Sequence, residues 1–129
     1  MPASTAVVNT GRAIITSRLI GTATAVPLYV AWGTGSTAVS LTDTTLTEPG
    51  EARTLGVGTQ TTTTTTNDTM NTTGTVVATG TRTIAECGLF TASSGGTLFV
   101  RGVLASTISV TSGDSVAFTF NVSITSAVV

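Results

Sequence analysis

The chain has 129 residues, a net charge of -1, and 9 % charged against 40 % hydrophobic residues, too apolar for disorder and too poor in charge for a coiled coil. It has no histidine, no lysine, one cysteine (Cys87) and six carboxylates, while about a quarter of it is threonine, far above ordinary usage. The usual general base, Schiff-base amine and commonest metal ligand are all missing, so no enzyme, catalytic residue, cofactor or metal is expected and function should lie in shape and contact.

The five cations are all arginines, Arg12, Arg18, Arg53, Arg82 and Arg101, spread singly with no basic cluster. Nucleic-acid binding draws its affinity from neutralised phosphates, so no DNA or RNA partner is expected, and no membrane surface for the same reason. Met1-Pro2-Ala3-Ser4-Thr5 lacks a charged leader followed by an apolar stretch, and no later run reaches the length of a membrane span. The size fits a single domain.

In chain order, Pro2 to Thr10 is small, polar and β-branched, and is read as a docking arm. This divides the chain into an arm over residues 1–12 and a β-sandwich domain over residues 13–129. Ala13 to Ile20 and Leu28 to Trp32 read as strands punctuated by Gly21 and Pro27, with no convincing helical period anywhere. Trp32-Gly33-Thr34-Gly35-Ser36 has glycines at phosphate-loop spacing but lacks the third glycine, the following helix and a lysine. The glycines are read as letting the chain turn sharply off its strand. Gly33 to Thr47 should then cross the surface as a long connection. Asp43, Glu48 and Glu51 fit no calcium-loop spacing and are read as solvated charges.

Arg53 to Thr66 and Met70 to Arg82 form two threonine-rich arms around Asn67-Asp68-Thr69, and the Thr61 to Thr66 tract is expected to be an ordered strand. Asp68 and Asp114 fall in turns, where aspartate bonds nearby backbone. Ile84 to Phe90 and Thr97 to Leu104, joined through Ser93-Ser94-Gly95-Gly96, read as a hairpin. Glu86 interrupts an apolar run there; if buried it needs a partner, for which Arg53, Arg82 and Arg101 are candidates, and a Glu86–Arg101 ion pair is the choice made. Ile108 to Thr111 and the alternating Val116 to Ile124 read as a second hairpin across Ser112-Gly113-Asp114. The arms add up to an all-β, single-domain, jelly-roll-like sandwich of about eight antiparallel strands. Val7, Val8 and Trp32 are taken as interface anchors.

Several of these segments together carry a resemblance: Tyr29-Val30-Ala31-Trp32-Gly33-Thr34-Gly35, Thr45-Leu46-Thr47-Glu48 with Arg53, Ile84-Ala85-Glu86-Cys87-Gly88-Leu89-Phe90, Gly95-Gly96-Thr97-Leu98-Phe99-Val100-Arg101 and Ser112-Gly113-Asp114-Ser115. In this order the chain beyond about residue 12 resembles small β-sandwich capsid decoration (cement) proteins of tailed bacteriophages. The resemblance implies a non-enzymatic virion component on the outer surface of the capsid, bound to the major capsid protein. Self-association is expected with it, as a homotrimer ahead of a homodimer. A tail or tail-fibre subunit is the alternative, and glycan binding by exposed loops would go with it. Ice binding would need a regular repeat, and no fixed period appears outside Thr61 to Thr66.

Overall fold

In a computed structural model, residues 4–22, 25–126 and 128 are described. Eight strands and one helix follow in order: β1 (Ser4–Val7), α1 (Asn9–Leu19), β2 (Tyr29–Gly33), β3 (Thr54–Leu55), β4 (Val57–Thr61), β5 (Thr69–Val77), β6 (Arg82–Phe90), β7 (Leu98–Val110) and β8 (Ser115–Ser123). They form a five-stranded sheet, β1-β7-β6-β2-β3, and a three-stranded sheet, β4-β5-β8, antiparallel at every pairing. The fold is an all-β sandwich, as the strand pattern predicts.

The two sheets read differently in sequence because they are buried differently. In the small sheet β5 and β8 alternate, and Val76, Phe118 and Phe120 turn inward onto Trp32, Ile84, Leu89 and Val100 of the large sheet. The large sheet is covered on both faces: β6 is buried without interruption from Ile84 to Phe90, as expected of a strand with protein above and below. Its second face carries Ala31, Phe90 and Leu98, which pack with Val8 and with Leu46 from the long connection.

The hairpin of β6 and β7 forms as expected, with Gly95 and Gly96 both at positive φ in its turn. Four expectations are overturned. Residues 13–20 are not a strand: residues 13–19 belong to α1 and Ile20 caps its end. Its start is unmarked, since Val8 at the N-cap makes no side-chain bond, no acid sits in the first turn, and Thr10, Gly11, Ile14, Ile15 and Thr16 are all modest helix formers. Its end is marked, by Arg18 in the last turn and by Gly21 at φ 75°, whose amide donates to the Arg18 carbonyl while that of Thr22 donates to the Ser17 carbonyl. Packing holds it: a Cβ on Gly11 would collide with the Phe99 carbonyl oxygen, and Ile14 and Ile15 lie against the core.

Residues 4–12 are likewise no arm. Ser4–Val7 pairs with β7 from Val100 to Val103, Val8 is fully buried, and residues 9–12 open the helix; residues 1–3 lie outside the described residues. The Thr61 to Thr66 tract leaves its strand after Thr61 and loops instead, because Asp68 gathers it: Oδ1 accepts from the Thr63 amide (2.8 Å), and Oδ2 from the amides of Thr64 (3.0 Å) and Thr65 (2.8 Å). These bonds, the Thr63 amide first, hold the Asp68 carboxyl well below the usual range. Finally, β7 and β8 are not a hairpin. The turn at Thr111–Asp114, with Gly113 at φ 93°, carries the chain from the large sheet to the small one, where β8 pairs with β5.

Candidate docking face

Seven of the eleven charged residues, Asp43, Glu48, Glu51, Arg53, Arg82, Glu86 and Arg101, pair with one another at the connection over residues 34–53. Glu86 and Arg101 are brought together on the loop-covered face of the large sheet, where the Arg101 Nε donates to Glu86 Oε1 at 2.9 Å and both side chains are buried. Each then reaches into the connection over residues 34–53. Glu86 Oε2 accepts from the amides of Gly35 (2.7 Å) and Thr47 (3.0 Å), and Arg101 donates to Asp43 Oδ2 (2.9 Å) and the Thr37 carbonyl (3.0 Å). Gly33 and Gly35 are therefore explained by close approach, not by a sharp turn: neither has positive φ, but a Cβ on either would stand within 2.7 Å of the Glu86 carboxylate.

Two further clusters fasten the same connection. Glu48 and Arg53 form a two-pronged pair, Nη2 to Oε1 at 2.7 Å and Nε to Oε2 at 3.0 Å, and the Arg53 guanidinium lies 3.5 Å from the Phe90 ring centroid. Glu51 is buried: Oε2 accepts from Trp32 Nε1 (3.1 Å), and Oε1 from the Thr79 amide (3.1 Å), the Thr79 hydroxyl (3.0 Å) and Arg82 Nε (3.1 Å). The reading of Asp43, Glu48 and Glu51 as solvated charges is thus replaced by three paired carboxylates. One signal for this was present in the sequence: in so apolar a chain, three acids within nine residues facing scattered arginines ask for partners.

Burial pushes the Glu51 carboxyl up, but the bonds from Trp32 and from the amide and hydroxyl of Thr79 outweigh it and bring the group from 4.5 to about 2. A carboxylate lowered on folding contributes stability in full above its unfolded value, and that contribution drains away as pH falls. Denaturant midpoints measured against pH should accordingly drop between about pH 4.5 and 2, and Glu51→Gln should be less stable near neutrality with a flatter profile through that window.

The carboxylates of these clusters are all bonded within the chain. Cys87 is buried, and desolvation, with the Glu86 charge adding to it, pushes its thiol up to about 12, far from a thiolate at neutral pH. Among the described residues no group of three or more His, Cys, Asp or Glu could hold a metal. The anchors assigned from sequence are also corrected. Val8 and Trp32 are 0 % and 2 % exposed within this chain and offer no surface to a partner, while half-buried Val7 packs on the core from β1.

What the sequence reading missed is the outer face of the small sheet. Its three strands carry no charged residue at all. Facing outward in register are the rows Val57–Thr73–Thr119, Thr59–Asn71–Asn121 and Thr61–Thr69–Ser123, followed by Thr75–Ala117 and Val77–Ser115. Thr69 alone among them is buried, roofed by Thr63 of the neighbouring loop. The rows are tied sideways, with Asn71 Nδ2 donating to Asn121 Oδ1 at 2.7 Å, the Thr73 and Thr119 hydroxyls 3.3 Å apart, and those of Thr69 and Ser123 3.1 Å apart. The result is an uncharged surface of short, mutually bonded side chains with little entropy to lose on contact. No family model, curated protein or solved structure matches this chain.

Proposed function

We propose that this chain is a structural virion subunit, a capsid decoration protein that lies on the outer surface of the major capsid protein and stabilises the shell by bridging its subunits. The observation that carries the reading is the division of charge in the sandwich. One sheet lies under a connection locked by Arg53, Arg82 and Arg101, and the other turns a charge-free face outward. A subunit that reinforces a shell needs a stiff scaffold and a broad face that docks without desolvating ions. The weakly acidic net charge suits a position away from the packaged genome, and the partners are the capsid protein and other copies of the chain.

Adding the purified chain to undecorated shells and measuring occupancy tests the reading. Thr73→Arg and Thr75→Arg, both on exposed positions, should leave stability within about 0.5 kcal/mol and lower occupancy at least tenfold. Unchanged occupancy would remove the face from the docking surface. Binding confined to tails would move the subunit from head to tail.

A further inference from the structure

We propose that the free edge of β8 accepts an extended, uncharged peptide segment of another protein as a fourth strand of the small sheet. It uses the backbone groups on the outer side of β8, which borders the docking face, rather than the side chains of that face, and the inference does not rest on the capsid reading.

Sheets expose an unpaired ladder at each edge, and proteins blunt it with short strands, charges, proline or bulges. Three of the four edge strands are short, β1 with 4 residues, β3 with 2 and β4 with 5, and past the end of β1 residues 104–110 of β7 are open as well. The fourth, β8, has 9 residues, SVAFTFNVS, with no charge and no proline, and it pairs with β5 in unbroken register from Ser115 to Ser123. Among the described residues no strand pairs with its other side.

The phase of the ladder shows which groups are free. The Ala78 amide donates to the Asp114 carbonyl and the Ile124 amide to the Asp68 carbonyl, one at each end of the β5–β8 pair. Bonded pairs recur every second residue, so Val116, Phe118, Phe120 and Val122 bond to β5. Ser115, Ala117, Thr119, Asn121 and Ser123 turn their N–H and C=O groups to the open edge.

The sandwich is also short of a strand at this place. β2 and β3 lie against β5, so three strands facing five leave β7 and β1 projecting beyond β8. A cleft of about 370 Å3 opens there, lined by Val100, Gly102, Leu104, Phe118, Phe120 and other uncharged residues. One added strand would bond to the five free positions and turn alternate side chains into this cleft. The uncharged lining selects small aliphatic residues at those positions, since a charge there would be desolvated without a partner. A whole second copy does not fit, because pairing β8 with β8 would drive the two projecting large sheets into the same space.

Amide hydrogen exchange on the isotope-labelled full chain tests this, with a capped nine-residue peptide of alternating threonine and valine as the probe. At saturation the Ala117, Thr119 and Asn121 amides should exchange at least tenfold more slowly, while Phe118 and Phe120, already bonded, change little. Thr119→Pro removes a donor that the fold does not use and should abolish the effect. Leu104→Asp, which places a charge in the cleft, is the second variant should the first unfold. A peptide with lysine for valine should not protect. Absence of protection would overturn the proposal, as would equal protection by the lysine peptide. Protection that grows with protein concentration without peptide would assign the edge to a second copy and overturn it as well.

Discussion

Replacing Arg101 with methionine should lower the unfolding free energy by about 3–5 kcal/mol, the cost of stranding one member of a buried ion pair. The guanidinium bonds Glu86, Asp43 and the Thr37 carbonyl at once, so its loss frees the connection over residues 34–47 as well as leaving a carboxylate in the interior. Asp43 lies partly open to water and can be hydrated; Glu86, with a side chain 2 % exposed, cannot. The informative comparison is the double variant. Glu86→Gln alone turns an amide NH2 onto one of its two sets of donors, the Arg101 guanidinium or the Gly35 and Thr47 amides. In the Arg101→Met background, however, the side-chain amide oxygen that Glu86→Gln introduces can accept from the Gly35 and Thr47 amides with no charge left to neutralise. The second substitution should therefore restore about 1–2 kcal/mol, a reversal of sign that chemical denaturation of the four proteins in the cycle would detect. Additive losses would mean that the pair acts only as two separate packing contacts.

The same residues show what could be read in advance. Glu86 stands out because a carboxylate inside Ile84-Ala85-Glu86-Cys87-Gly88-Leu89-Phe90 violates the hydrophobic run, and such a violation demands a partner. Glu51 interrupts no hydrophobic run, since its neighbours are Gly50 and Ala52, and the partners that bury it, Trp32, Thr79 and Arg82, are distant in sequence. Strand β8 and the hairpin of β6 and β7 are legible for local reasons, a period of two in one case and a double-glycine turn in the other. Helix α1 is legible only at its end, where Arg18 and Gly21 are stop signals; its β-branched interior argues against a helix, and the close approach of Gly11 to Phe99 belongs to tertiary packing. The turn between β7 and β8 illustrates another limit. Gly113 and Asp114 suit a hairpin and a sheet-to-sheet corner equally, and only the pairing of β8 with β5, some forty residues earlier, distinguishes them. In the threonine tract, the backbone amides captured by Asp68 outcompete a sheet ladder for which Thr62 to Thr66 have no partner strand.

Trp32 is the other position from which a large loss is expected, and its two roles can be separated. The side chain is 2 % exposed in the core between the sheets, and its Nε1 is one of the donors that keep Glu51 ionised in a buried site. Trp32→Ala removes both and leaves a cavity, at a cost of about 3–5 kcal/mol. That is a large part of the roughly 5–15 kcal/mol that a domain of this kind holds in total. Trp32→Phe keeps much of the buried area and loses the donor, so it should cost about 1–3 kcal/mol. It should also change the response to acid: with one bond fewer opposing burial, the Glu51 carboxyl moves up from about 2. The folded and unfolded values draw closer, and the pH-dependent part of stability shrinks. Calorimetric melting from neutral pH down to pH 2 should thus give Trp32→Phe a shallower acid slope than the parent, while Trp32→Phe in a Glu51→Gln background should show no further flattening. A slope unchanged by Trp32→Phe would mean that Thr79 and Arg82 hold Glu51 without help, and that Trp32 serves the core through its volume alone.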